Sequence, residues 1–215
     1  MISYFLLFIP IAVIAYMFGS LSTLLLASNF VFRYNLKKFG TGNIWLANFR
    51  RVYGWKGGLK LLAVELVKDI VPILLGGLIM GIKGHPEAGR AVAGFCMVMG
   101  RLYPVYYSYH GSHATMTMIV TAAFYDISLG IVVAVVVLAA LFATKYISLA
   151  TILGAVFMII ASLLILEDKM LILLVVFTAA LVVIKHIPSL GRIAKGKEEK
   201  FALKEDLSYK FDEKF

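Results

Sequence analysis

Apolar residues fill seven stretches of this chain, at 4–30, 58–82, 89–106, 114–126, 128–144, 147–166 and 170–187, separated by polar or glycine-containing interruptions. An α-helix needs about 20 apolar residues to cross the hydrocarbon of a bilayer. The pattern therefore predicts an all-α, polytopic membrane protein of about seven transmembrane helices. The fourth stretch is short, and it either stands alone or merges with the fifth into one long tilted helix. The opening run, MISYFLLFIPIAVIAYMFG, has no basic lead-in and no small-residue cleavage site after it, so it is read as a retained span. No internal repeat is visible. Residues 1–190 read as one transmembrane domain and 191–215 as a charged tail, either disordered or a short helix on the membrane surface.

Composition supports lipid as the solvent. The 215 residues are 61% hydrophobic and only 15% charged, more apolar surface than a soluble domain of this size hides. Charge then sets the orientation. Seven of the 21 Lys+Arg lie in 33–60, a stretch with no acid, and eight more lie in 185–215. Basic residues collect in cytoplasmic loops. Placing both regions there demands an odd number of spans, with the N-terminus outside and the C-terminus cytoplasmic. The segment RLYPVYYSYHGSH, 101–113, then shares the cytoplasmic side, while KGHPEAGR, 83–90, faces the other. Cations this close to spans select anionic lipid headgroups or a phosphorylated metabolite and not nucleic acid. The single cysteine, Cys96, excludes an intrachain disulfide and a cysteine-based metal cage.

Four segments carry possible chemistry. In the loop 33–57, Gly40, Gly42 and Gly54 let the backbone present N–H groups. Thr41, Asn43 and Asn48 add short polar donors there, and Arg50 and Arg51 bring planar cations suited to phosphate. A basic loop beside a span is equally an ordinary topology signal. Glu65, Lys68 and Asp69 sit three and four residues apart at a span, a costly placement that marks either a watery cavity or side chains snorkelling to headgroups. In 100–117, Pro104 and Gly111 break helix, tyrosines suit the membrane interface, and His110 and His113 flank Gly111-Ser112. No carboxylate or cysteine accompanies these histidines, so no metal site is assigned. Last, His186 ends a span, followed by Arg192, Gly196 and Glu198. It is either a cap on the helix dipole or a base that titrates near physiological pH.

Taken together, these residues resemble the bacterial acyl-phosphate:glycerol-3-phosphate acyltransferases, the PlsY family of small seven-span membrane enzymes. Gly19-Ser20 matches a GS at the end of the family's first span, and Gly40-Thr41-Gly42-Asn43-Ile44 with Asn48 matches its GSGNIGATN. Arg51 and Gly54 follow in order. Glu65, Lys68 and Pro72 stand at the acid, lysine and proline of D-x-x-K-G-x-x-P. In the second motif Gly100, Tyr103 and Pro104 keep the frame of G-H-x-F-P, with Arg101 in place of histidine. The family's KGGKG reads His110-Gly111-Ser112-His113-Ala114 here. In the third motif His186, Arg192, Gly196 and Glu198 match, and Ser189 replaces an asparagine.

The resemblance implies acyl transfer from an acyl phosphate donor to glycerol 3-phosphate or a related phosphorylated acceptor, among membrane lipids and with no cofactor. It makes His186 the base, with Glu198 orienting it or a nearby arginine. Lys68, Arg51 and the Gly40–Asn43 backbone hold phosphate, and Ser20, Asn48, Arg101, Arg192 and the His110–His113 loop complete the site. Neutral histidine carries no charge where lysine would, which points to an altered acceptor or to lost activity unless Arg101 or Arg50 compensates. Two rivals follow, an acyltransferase on a different acceptor and a catalytically inactive lipid-binding scaffold of the same fold. A transporter gains little support from seven spans without repeats.

Overall fold

The computed structural model describes residues 6–23, 46–107, 113–198 and 200–201. Seven α-helices follow one another among them: α1 (Phe8–Ser20), α2 (Leu46–Gly81), α3 (Pro86–Leu102), α4 (Thr115–Tyr125), α5 (Ile127–Thr144), α6 (Ile147–Ile165) and α7 (Lys169–Ala194). A single 3-10 turn, Val105–Tyr107, follows α3, and no strand occurs among the described residues. Helices α5, α6 and α7 are long and apolar enough to cross a membrane, while α1 and α4 are shorter apolar helices. Large apolar side chains such as Val135, Phe142, Leu163 and Leu164 face outward. Water would penalise that belt; lipid accommodates it. The protein is a multi-pass membrane protein.

The helix boundaries have local causes. Asp126 separates α4 from α5: its backbone is extended, and its carboxylate accepts from the N–H groups of Ser128 and Leu129 at 2.7 and 3.2 Å. This N-cap satisfies donors a helix start would otherwise leave open, so the two apolar stretches do not merge. Asp168 caps α7 in the same way. Pro104 ends α3 at Leu102, short of the expected 106, because the residue before a proline is driven from helical backbone; Tyr103 sits at φ −130° and ψ 66°. Two other expectations need correction. The basic stretch expected as loop to residue 57 is helical from Leu46, since it contains no proline and mixes in good helix formers. Helix α7 runs on past 187, through Pro188 to Ala194, so His186 lies inside the helix and is not a cap at its end.

The chain divides into two compact units, one of residues 1–21 with 68–200 and one of 22–67 with 201–215. Within the second, Leu61 and Glu65 of α2 are buried. Within the first, successive helices pack as neighbours, α3 on α4, α4 on α5, α5 on α6 and α6 on α7, while α3 also touches α1 and α7. Met97, Met118, Met158, Leu129 and Val133 fill its core. Close helix approach depends on small residues, as expected where apolar burial gives no drive between helices in lipid. A Cβ on Gly76 would lie 2.6 Å from the Gly89 carbonyl oxygen, and one on Gly100 would lie 2.8 Å from the Ser20 nitrogen. These obstacles are backbone atoms, which cannot rotate away. Gly100→Ala is therefore expected to destabilise by about 1–3 kcal/mol through overpacking. Gly191→Ala, which meets nothing within 4 Å, is the matched control and should be neutral or slightly stabilising. Melting temperatures of the two variants in detergent micelles check the contrast.

Candidate functional site

Alternation of the helices brings particular ends together. The C-terminal ends of α1, α3 and α7 and the N-terminal ends of α4 and α6 share one end of the first unit, and the polar residues concentrate there.

On α7, His186, Ser189 and Arg192 recur every three residues, so each neighbours the next on the helix surface. The buried His186 ring places Nδ1 2.7 Å from the Val182 carbonyl oxygen. A carbonyl only accepts, so Nδ1 carries the proton and neutral His186 keeps its lone pair on Nε2. The Arg192 guanidinium donates from Nη2 to Ser189 Oγ at 2.8 Å and from Nε to Glu198 Oε2 at 2.7 Å. That second contact is an ion pair, and it returns the chain beyond α7 to the helix that it has just left.

A second histidine completes the group. His113, just ahead of α4, sets its ring centroid 5.1 Å from that of His186, tilted by 46°. Its Nε2 lies 2.8 Å from Ser148 Oγ on α6, and the Ser148 hydroxyl donates to Glu198 Oε1. Burial, reinforced by His186, pushes the His113 pKa down to about 3 despite the Glu198 charge, and Arg192 and Arg101 push the same way. His113 is thus a neutral imidazole at physiological pH. Burial pulls the Glu198 pKa up, but the Ser148 and Arg192 hydrogen bonds and the arginine charge outweigh it and hold the carboxyl below the usual glutamate range.

Beside this group, Lys68 Nζ donates to the Leu21 carbonyl at 3.1 Å and lies 3.4 Å from Asp69 Oδ1. Thr117 Oγ1 on α4 donates to Asp69 Oδ2 at 2.8 Å. Ser20, next in chain to Leu21, is buried against Gly100, and its hydroxyl has no hydrogen-bond partner among the described residues. Tyr16 donates to the Tyr103 carbonyl at 2.7 Å, and Lys185 Nζ stands 4.5 Å from the centre of the Tyr103 ring. Tyr103 thus ties the ends of α1 and α7 to that of α3, where Arg101 occupies the last turn.

Of the residues singled out in the sequence, His113, His186, Arg192 and Glu198 come together directly, and the Arg101 charge reaches His113. Ser20 ends α1, and Lys68 bonds the carbonyl of the next residue, Leu21. Asn48 and Arg51 fall in the first turns of α2, in the second unit. Gly40, Thr41, Gly42, Asn43, His110, Gly111 and Ser112 lie outside the described residues. Sequence reasoning missed Ser148, Thr117 and Tyr16. The one signal for Ser148 was a hydroxyl in the first turn of an otherwise apolar helix.

The family model described as glycerol-3-phosphate acyltransferase matches residues 9–196. A glycerol-3-phosphate acyltransferase 2 of Bacillus anthracis is 31% identical over 190 residues, covering 87% of this chain and 96% of the relative. A glycerol-3-phosphate acyltransferase of Bacillus cereus (strain G9842) is 30% identical over 200 residues, covering 93% and 96%. Among solved structures, PlsY (YgiH), an integral membrane glycerol 3-phosphate acyltransferase in its glycerol 3-phosphate form, superposes with a TM-score of 0.76 at 20% identity, over 91% of this chain and 96% of that one. Its lysophosphatidic acid form gives the same TM-score, 0.76. With the family model matching nearly all of its helices, this chain belongs to the glycerol-3-phosphate acyltransferase family.

Proposed function

We propose that this membrane acyltransferase moves a fatty acyl group from an acyl phosphate to glycerol 3-phosphate, with His186 as the base. One observation carries the assignment of the base: the Val182 carbonyl occupies the His186 Nδ1 proton, which leaves the Nε2 lone pair for an acceptor hydroxyl. The donor is a mixed anhydride, so phosphate is already a good leaving group and no covalent enzyme intermediate is needed. Nε2 takes the hydroxyl proton as the oxygen bonds to the acyl carbon. The bond from that carbon to the bridging phosphate oxygen then breaks, its electron pair leaves with phosphate, and the proton passes to the departing group.

Cations stabilise the two phosphates. Arg192, aimed by Glu198 and Ser189, and Lys68, held on the Leu21 carbonyl, serve in this reading with Arg101. Arg51, Asn48, Ser20, the Gly40–Asn43 backbone and the His110–Ser112 loop take the remaining phosphate contacts assigned by motif position. His113, being neutral, adds no charge to them. The acyl chain lies along the apolar helix faces. The basic residues of 33–60 and 185–215 support a cytoplasmic placement of this end, with the N-terminus outside and residues 191–215 as a cytoplasmic tail.

Purified full-length protein, incubated in micelles with acyl phosphate and glycerol 3-phosphate, is expected to release inorganic phosphate and form acylglycerol phosphate, read by mass spectrometry. Acylation of a different alcohol alone overturns the acceptor, and absence of any acylated product overturns the enzyme in favour of a lipid-binding scaffold.

A further inference from the structure

We propose that Ser148 is a positioning residue for this reaction: its buried hydroxyl holds the Glu198 carboxylate, and through it Arg192, beside His186, and it sets which nitrogen of His113 carries the proton. The inference rests on the acyl-transfer reading above.

A hydroxyl has one hydrogen and an ionised carboxylate has none. Ser148 gives its hydrogen to Glu198 Oε1, so toward His113 it accepts, and the His113 proton must sit on Nε2. A serine in the first turn of a helix usually bonds its own backbone. Thr151, one turn further along α6, does so through the Ile147 carbonyl. Ser148 instead bridges two groups 35 and 50 residues away, and it is only 1% exposed. With Arg192 on the other carboxylate oxygen, Glu198 is gripped from α6 and α7 at once. Among the described residues, Arg101 from α3 acts on His113 as well, and Lys185 from α7 acts on His186.

Ser148→Ala removes a donor that favours the charged form of Glu198, so the carboxyl pKa rises and protonation sets in at higher pH. The acid limb of kcat/KM against pH is expected to move up. Loss of one hydrogen bond to a charged group lowers kcat/KM for the acceptor by about tenfold, mostly through acceptor KM. Ser148→Thr keeps the hydroxyl and restores both readings. In a Glu198→Gln background, Ser148→Ala should add little, because the two act through one contact.

An unchanged acid limb and acceptor KM in Ser148→Ala, full additivity with Glu198→Gln, or a threonine variant as impaired as alanine would each overturn the proposal. Nitrogen-15 NMR of labelled histidines in micelles reads the tautomer without turnover. His113 protonated on Nε2 in the parent and altered in Ser148→Ala supports the proposal, and protonation on Nδ1 in the parent overturns it. An inactive parent protein, by contrast, overturns the acyl-transfer reading alone.

Discussion

Replacing His186 by glutamine is expected to lower kcat for acyl transfer by about 10²–10⁴-fold, the span typical of losing a general base, with KM for the acceptor nearly unchanged. Glutamine approximates the size of the ring and can still donate to the Val182 carbonyl, so the end of α7 keeps its packing. What disappears is a basic nitrogen where Nε2 stood. The alternative, that His186 merely fills space between α4 and α7, predicts that glutamine is tolerated. Steady-state kinetics on the two variants His186→Gln and His186→Ala separate these outcomes, since a base is lost equally in both whereas a filler is lost only in alanine. Turnover of His186→Gln at the parent rate would remove this residue from the chemistry.

Asp69→Ala is expected to cost about 3–5 kcal/mol of stability, the range for breaking a buried ion pair by deleting one partner. Asp69 is 1% exposed, faces the Lys68 ammonium and accepts the Thr117 hydroxyl. Its removal takes the counter-charge from a lysine that is itself shielded and strands a buried hydroxyl on α4. Asn at this position keeps an oxygen for Thr117 but no charge, so Asp69→Asn should fall between the parent and alanine. Unfolding titrations in mixed micelles measure both. Parent-like stability in Asp69→Ala would show that the Lys68 charge is compensated without the carboxylate. Because Lys68 also holds the Leu21 carbonyl at the end of α1, loss of Asp69 should weaken acceptor binding as well as the fold.

The seven apolar stretches and the helices correspond closely, and the reason is the solvent. In hydrocarbon a backbone must satisfy its own hydrogen bonds, so a long apolar run has little choice but helix. The misjudged boundaries fall where that rule is weakest, at polar ends. Leu46 to Gly57 is basic enough to read as loop, yet it holds no proline, and its two glycines do not stop the helix. Pro188 reads as a stop, yet α7 passes it. Asp126 was visible only as a polar residue in a turn, and its capping bonds decided that α4 and α5 are two helices.

The site divides along a similar line. Motif order brought out His186, Arg192 and Glu198, because they lie within thirteen residues of one another along the chain, where local sequence pattern is legible. His113 was read as a weakened phosphate ligand. The structure adds a contact with Ser148, 35 residues on. The spacing of Glu65, Lys68 and Asp69 shows only neighbours along α2, whereas the bond from Thr117 to Asp69 joins α4 to α2.

By itself, then, the sequence determined the membrane-spanning all-α class, the family and the residues rich enough in chemistry to matter, because hydropathy and motif order act over short stretches of chain. Only the tertiary structure decided which of these groups face one another. What faces His113 and what holds Glu198 depend on Ser148, brought in by another helix, whereas the His186 lone pair is set within α7 by the Val182 carbonyl, because a hydroxyl reaches whatever lies nearest in space while a helix carbonyl serves its own turn.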